Sequence, residues 1–163
     1  MTDGGARRDA SHGARLIAAW QRLASKPGGR WLFSRLVGRT APYTGSMGAL
    51  VTAFEPGRAV VQLRDRRRVR NHLRSVHAIA LANLGELASG LAMTAALPAG
   101  VRGIPVHIGI EYRRKARGLL TATGSAVPPD VVDEAHADAI AEIRDHAGEI
   151  VAVVTVRWQL QRT

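Results

Sequence analysis

The chain of 163 residues contains no cysteine. A protein without thiols cannot form disulfides, bind zinc through cysteine or use a cysteine as its nucleophile. The absence of cysteine is compatible with a reducing compartment. In addition, residues 1–20 lack the apolar run of a signal peptide. We therefore expect a cytoplasmic protein with a single domain that is large enough to build its own core.

Aromatic residues are also scarce, at 4% of the chain, although hydrophobic residues as a whole reach 46%. The core must therefore be built mainly from Val, Leu, Ile and Ala. Proteins that bind RNA or single-stranded DNA place aromatic side chains among their basic residues. Here Tyr112 is the only aromatic residue near the densest basic run, so we do not expect a nucleic-acid partner.

Acidic residues number only 13, against 23 Lys and Arg residues, which gives a net charge of +10. Lys26 and Lys115 are the only lysines, so arginine carries nearly all of the positive charge. This bias is compatible with genomic base composition as well as with ligand binding. A basic surface attracts polyanions, and coenzyme A with its several phosphates belongs to that class.

Charged residues are almost missing from one long stretch, 75–101, where Glu86 is the only one. The stretch is long enough to cross a membrane, but it is rich in Ala and Gly and is interrupted by Pro98. We therefore expect a buried helix of a soluble domain and no membrane span. Burial raises the pKa of a lone acid and suits it to act as a general base or nucleophile. The alternative is a Glu that reaches solvent or an Arg from elsewhere in the fold.

The pattern predicts that this helix covers about residues 76–93, with Ser75 as its N-cap. It is apolar nearly all round, which implies burial on most sides. The few polar side chains that it carries are His77, Asn83, Glu86 and Ser89. The last three are spaced three residues apart, which places them on one narrow stripe of the helix.

The rest of the chain is predicted to form helices near the N-terminus and strands elsewhere. Residues 1–8 are expected to be a disordered leader, followed by a helical extension over 9–43. Alternating apolar residues predict two strands before the long helix and four after it, at 47–54, 58–64, 106–113, 119–126, 137–143 and 150–160. One apolar helix among six strands suits an α+β fold in which an antiparallel sheet curls around the helix.

Two motifs resemble the core motifs of hotdog-fold thioesterases, including the acyl-CoA thioesterases of the phenylacetate pathway. In that group an Asn precedes an HGG motif, and an acid follows on the helix. Here Asn71 lies six residues before His77, and Glu86 lies nine residues after it, which matches both spacings. Downstream, residues 110–122 (IEYRRKARGLLTA) resemble the strand motif YxRPAxGxxLxA of the same group.

The resemblance covers roughly residues 45–160 and is greatest to an uncharacterised branch with the pattern NHL…H…AxANLxE. It implies a hotdog domain over 44–163, in which the sheet wraps around a long central helix. It also implies a homodimer or a dimer of dimers, with active sites between two chains. The implied substrate is a fatty or aromatic acyl thioester of coenzyme A or acyl carrier protein. Apart from the coenzyme A of the substrate, no cofactor and no metal are expected.

The resemblance also implies a role for each motif residue. Glu86 is the general base or nucleophile, Asn71 positions water or substrate, and His77 supports the thioester carbonyl together with the N–H groups that follow it. Nine helical residues span roughly 13–14 Å, so Glu86 and His77 of one chain are too far apart to act on one atom. A site formed from two chains resolves this distance.

Five further residues near this motif are expected to contact the substrate: His72, Ala78, Ile79, Asn83 and Ser89. Ala78 and Ile79 depart from the family pattern, because they replace the HGG glycines and narrow the approach to the carbonyl. For Asn83 and Ser89 the alternative is simple packing within an Ala-rich helix.

A basic run follows Tyr112 and comprises Arg113, Arg114 and Lys115. We expect these side chains to bind the phosphates of coenzyme A. The alternative is a set of exposed edge-strand charges that discourages aggregation.

Two other functions stay open beside hydrolysis. His72 and Glu86 are 14 residues apart, which suits the His–acid pair of hotdog dehydratases, although the Pro- and Gly-rich turns of that class are absent. The third function is acyl-CoA binding without catalysis. Release of free thiol separates the first function from both others.

Overall fold

The structure, a computed structural model, describes residues 11–163, so the predicted leader over 1–8 lies outside it. The helices are α1 (His12–Leu23), α2 (Gly29–Thr40), α3 (Pro42–Met47) and α4 (Ala78–Ala96), with a 3₁₀ turn at Arg67–Val69. The strands are β1 (Leu50–Glu55), β2 (Arg58–Arg64), β3 (Val101–Tyr112), β4 (Leu119–Ala126), β5 (Glu134–Arg144) and β6 (Ile150–Arg162). The predicted order of two strands, one long helix and four strands is confirmed.

One six-stranded sheet holds all of these strands in the order β1-β2-β4-β5-β6-β3, and every neighbouring pair is antiparallel. The α4 helix lies across the sheet and contacts mainly β2, β4, β5 and β6. Their apolar faces form one core, in which Leu84, Leu120 and Val154 are fully buried. The predicted α+β class, with an antiparallel sheet around a central helix, is confirmed.

Two glycines allow α4 to lie very close to the sheet. A Cβ at Gly124 on β4 would collide with the backbone of Ala88, and one at Gly85 on α4 would collide with Val154 on β6. Because neither position has room for a side chain, both glycines are required by the packing. This close approach fixes which side of α4 faces the sheet.

The start of α4 differs from the prediction, because its N-cap is His77 rather than Ser75. The Nδ1 atom of His77 accepts the N–H of Ile79 at 3.1 Å, whereas the buried Ser75 hydroxyl donates to the carbonyl of Val76. Among the described helices α4 alone is long and apolar enough to cross a membrane. It lies against the sheet as the core helix of the domain.

The N-terminal helices share the core of the sheet instead of forming a separate layer. The ring of Phe33 on α2 lies 5.1 Å from that of Trp20 on α1 and 5.7 Å from that of Phe54 on β1. The Ser34 hydroxyl also accepts the backbone N–H of Val51 on β1, at 2.9 Å. The α1 and α2 helices are therefore part of one packed domain with the sheet.

The short α3 helix was not predicted. It includes Met47, where the sequence pattern placed the start of a strand. The helix is followed by Gly48, whose φ of +67° favours glycine, and β1 begins only at Leu50. Helical structure thus continues past residue 43, where the predicted extension ended.

The outer strand β3 leaves apolar side chains uncovered. Ile104, Val106 and Ile108 are 62%, 48% and 46% exposed, and Tyr112 is 50% exposed. Soluble proteins rarely leave a long apolar edge strand open, because such an edge pairs with other chains. Residues 11–163 of a single chain provide no cover for this edge.

Candidate active site

Glu86 lies in the middle of α4, on the side that faces β6. A Cβ placed at Gly90, one turn further on, would lie 3.5 Å from Glu86 Oε1 and 3.5 Å from Cζ2 of Trp158. The carboxyl and the indole ring thus border the same space at Gly90, and burial raises the pKa of Glu86 above its usual range. No Lys or Arg of the described chain forms an ion pair with it.

Trp158 is a site residue that the sequence did not reveal. It lies on β6 and is only 6% exposed, yet its indole N–H has no acceptor among the described residues. A buried donor without an acceptor costs about 1–3 kcal/mol, so its position near a buried carboxyl calls for an explanation. The only sequence signal was its rarity, since the chain has three Trp residues.

Asn71 organises the loop that leads into α4. Its Oδ1 atom accepts the N–H groups of Leu73 at 3.0 Å and Ser75 at 3.2 Å, and its own N–H donates to the Ser75 carbonyl. Arg74 takes the left-handed conformation within this turn, with a φ of +55°. The side-chain oxygen is therefore occupied by the loop itself, and the amide nitrogen is the part of Asn71 that has no hydrogen bond in the described structure.

The same loop is fixed at both ends. Asp65 accepts a hydrogen bond from Arg70 at 2.6 Å and another from the Gly118 N–H at 3.3 Å. The bond from Arg70 lowers the pKa of Asp65, which stays ionised at neutral pH. On the other side, Arg117 donates to the carbonyl of Arg74 at 3.1 Å. These contacts hold the Asn71 turn in one conformation.

His77 is exposed and caps α4 by accepting the Ile79 N–H. One of the N–H groups expected to support the carbonyl is therefore taken by the imidazole. The N–H groups of Ala78 and Ala80 have no acceptor among the described residues, and they point out of the first turn of the helix. The Tyr112 hydroxyl donates to the Ala78 carbonyl at 3.1 Å and ties β3 to this turn.

One chain does not bring these groups together. His77 lies at the start of α4 and Glu86 about two and a half turns further along. No hydrogen bond of the described chain links Glu86 with Asn71, His72 or His77. The single chain thus carries two separate halves of the predicted site.

The other polar side chains of α4 face different neighbours. Asn83 accepts a hydrogen bond from Thr44 of α3 at 2.9 Å, and its buried amide nitrogen has no partner in the described structure. Ser89 is fully buried and donates to the Gly85 carbonyl at 2.9 Å. The expected stripe is therefore not a continuous polar surface, and these contacts favour packing roles for Asn83 and Ser89.

The basic run after Tyr112 is partly neutralised. Arg113 lies 3.3 Å from Glu111, and Arg114 lies 3.0 Å from Glu149. Both pairs are well exposed, and such pairs contribute little to stability. Phosphate binding by Arg113, Arg114 and Lys115 stays a prediction.

The described residues contain no group of three or more His, Asp or Glu side chains placed to hold a metal ion. They do contain a cavity of about 670 Å³ that was not foreseen, between α2, α3 and the β1–β2 hairpin. Five arginines and no acid line it, which sets it apart from the surroundings of Glu86.

Comparisons with known proteins identify both a family and a fold. A family model described as a domain of unknown function, DUF4442, matches residues 29–160. No protein of curated function is significantly similar to the chain. The crystal structure of the structural-genomics target APC5556 is 28% identical and has a TM-score of 0.79, over 94% of this chain and 100% of that one.

Two further solved structures are more distant. PA5026 from Pseudomonas aeruginosa, described as a protein of unknown function and probable thioesterase, is 20% identical with a TM-score of 0.71, over 80% of this chain and 93% of that one. The thioesterase HI1161 from Haemophilus influenzae is 16% identical with a TM-score of 0.65, over 74% of this chain and 82% of that one. Identities this low establish a common fold, and that fold is the predicted hotdog fold. The likeness to the phenylacetate-pathway branch stays a prediction.

Proposed function

Since the chain belongs to the DUF4442 family and has the hotdog fold, we propose that it hydrolyses acyl thioesters with Glu86 as general base or nucleophile. The observation that carries this proposal is the half-buried Glu86 carboxyl, which no cation of the described chain neutralises. PA5026 and HI1161 are named as a probable thioesterase and a thioesterase, which supports the same reaction. The substrate is a fatty or aromatic acyl thioester of coenzyme A or acyl carrier protein.

The active site is shared between two chains. The apolar edge of β3 pairs with the same edge of a second copy, which covers Ile104, Val106 and Ile108 in a two-fold interface. In this arrangement Glu86 faces the loop that carries Asn71 and His77 of the partner subunit. The separation of these groups within one chain is the observation that supports the shared site.

The reaction begins when the Glu86 carboxylate takes a proton from water, whose oxygen attacks the carbonyl carbon of the thioester. The tetrahedral oxyanion then collapses, the C–S bond breaks, and the proton on Glu86 passes to the departing thiolate. Water thus supplies the hydroxyl of the acid product and the hydrogen of the thiol.

The oxyanion is held at the start of α4. Ala78 and Ala80 offer two N–H groups there, and the helix dipole adds partial positive charge. His77 contributes indirectly, because it caps the N–H of Ile79 and fixes the geometry of the turn. The carbonyl oxygen can bind between the Ala78 and Ala80 N–H groups even though this chain lacks the HGG glycines.

Acyl binding without hydrolysis is the second candidate. It is favoured because the Ile79 N–H already donates to His77 and cannot also hold the thioester carbonyl. The Ile79 side chain, which is 54% exposed in the first turn of α4, also narrows the approach to that carbonyl. For the dehydratase reaction, the described structure shows no contact that joins His72 to Glu86.

A thiol-release assay over a panel of acyl-CoA and acyl carrier protein thioesters tests the proposal. We expect release by the wild type and a loss of roughly a hundredfold or more in Glu86→Gln, the scale of a lost positioned base. Glu142→Gln, a partly exposed acid on β5 that pairs with Arg144, is the matched control and should keep full activity. No release from any thioester, or equal rates in wild type and Glu86→Gln, would refute the proposal.

A further inference from the structure

The cavity between α2, α3 and the β1–β2 hairpin, here called the arginine cavity, is unusually basic. Its five arginines are Arg35, Arg39, Arg64, Arg66 and Arg68. The first two lie one turn apart on α2, and the other three alternate along the chain where β2 runs into the 3₁₀ turn. The five arginines thus come from two separate segments and line one space.

Nothing in the described chain neutralises this charge. No Asp or Glu lines the arginine cavity, and none of the five arginines forms an ion pair with a residue of 11–163. Like charges one helical turn apart, such as Arg35 and Arg39, destabilise a helix. A bound anion would offset that repulsion, and the same five groups would attract it.

The walls of the cavity are shaped around the guanidinium groups. The Arg68 guanidinium fills the space that a side chain at Gly48 would need, so the glycine makes room for it. Arg35 lies over the ring of Trp31, 5.5 Å from its centroid, and this indole is 61% exposed. An exposed aromatic ring among arginines offers a stacking surface beside the charges.

We propose that the arginine cavity binds a nucleotide that carries more than one phosphate, with the phosphates on the arginines and the base on Trp31. A volume of about 670 Å³ falls in the usual range of small-molecule sites. A fatty acid carries one negative charge and would leave most of the guanidinium groups unmatched. A nucleic-acid strand needs an open groove, whereas this cavity is bounded by α2, α3 and the hairpin.

The arginine cavity lies beside the turn of α4 that carries Glu86. Arg66 and Arg68 precede Asn71 in the loop that leads to α4, and Leu87, the neighbour of Glu86, lines the cavity. If the proposed function holds, the ligand is the nucleotide end of a coenzyme A thioester. The phosphates would then lie here rather than on the basic run after Tyr112, whose arginines are paired with Glu111 and Glu149.

Calorimetric titration with adenosine 3′,5′-bisphosphate, the nucleotide end of coenzyme A, tests the inference. We expect the wild type to bind it, and adenosine without phosphate to bind far more weakly. In the double variant Arg35→Gln/Arg39→Gln the dissociation constant should rise roughly tenfold or more, the effect of losing charge-assisted hydrogen bonds. Arg64→Gln/Arg68→Gln on the facing segment should give the same loss, which guards against a folding defect in α2.

The matched control is Arg15→Gln/Arg22→Gln, which removes the same charge from exposed positions of α1. It should change the dissociation constant by about twofold at most, because remote surface charges are screened by salt. The inference is wrong if the wild type does not bind the bisphosphate, if the control weakens binding as much as the cavity variants do, or if only vesicles of anionic phospholipid bind. Bisphosphate binding by a protein that releases no thiol would support this site and refute only the hydrolysis.

Discussion

At the scale of single residues, the cost of burying Glu86 should appear as a dependence of stability on pH. Its pKa is higher in the folded protein than in the unfolded chain, so folding disfavours the ionised form. The cost is absent below the unfolded pKa, about 4, and grows as the pH rises toward the folded pKa. Gln does not titrate and carries no such cost.

We therefore predict that Glu86→Gln gains stability relative to the wild type as the pH rises from about 4 to 7. Urea denaturation of both proteins across this range measures the difference in the free energy of unfolding. A difference that stays constant with pH would show that burial does not shift the Glu86 pKa. A Gln variant that is less stable at neutral pH would show that Glu86 has an ionic partner in the folded protein.

Trp158 provides a second prediction at this scale. Trp158→Phe keeps a ring in the core but removes the indole N–H, which has no acceptor in the described chain. Because a buried donor without an acceptor costs about 1–3 kcal/mol, its removal should offset the loss of the larger ring. We expect the free energy of unfolding to change by about 1 kcal/mol at most, as measured by urea denaturation. A loss of several kcal/mol would show that the indole N–H has a partner in the folded protein.

The sequence identified some of these residues but not others, for physical reasons. Glu86 was visible because no other charge lies within the apolar stretch around it. Trp158 was not visible, because its position near Glu86 depends on how β6 packs against α4. The same is true of Thr44, whose bond to Asn83 spans 39 positions of the chain.

At the scale of secondary-structure elements, the contact between α4 and the sheet predicts opposite effects for two glycines. A methyl group at Gly124 would collide with the backbone of Ala88, which cannot move without separating α4 from β4. At Gly90 the nearest atoms would be 3.5 Å away, which is an ordinary contact.

We predict that Gly124→Ala lowers the free energy of unfolding by roughly 1–3 kcal/mol, the usual cost of overpacking. Gly90→Ala should raise it by up to about 1 kcal/mol, because Ala is the better helix former. Chemical denaturation of the two variants measures both effects. Equal effects of the two substitutions would contradict the described packing of α4.

Sequence patterns predicted most of the secondary-structure elements but missed the α3 helix. The six strands and α4 were predicted because alternating and continuous apolar runs are strong signals. The α3 helix was missed because Tyr, Thr and Gly are poor helix formers. It forms where Gly45 lies against Gly38 of α2, at a distance that leaves no room for a side chain, and such a contact cannot be read from local sequence.

At the scale of the whole molecule, the fold was predictable and the arginine cavity was not. The net charge of +10 indicated a polyanionic ligand, but the predicted position for its phosphates was the basic run after Tyr112. Residues 35–39 and 64–68 come together only when α2 packs against the β1–β2 hairpin. A cytoplasmic location, the dimer and the identity of the acyl group stay predictions.

The proposed active site combines Glu86 of one chain with Asn71 of the partner subunit, and mixed dimers distinguish it from a site within one chain. Asn71→Asp keeps the acceptor that holds the loop but removes the amide donor, and Glu86→Gln removes the base. Each variant alone should have little thiol-release activity. Refolding the two variants together in equal amounts should restore about a quarter of the wild-type activity, because half of the dimers then contain one intact site. A mixture no more active than the average of its two components would contradict the shared site.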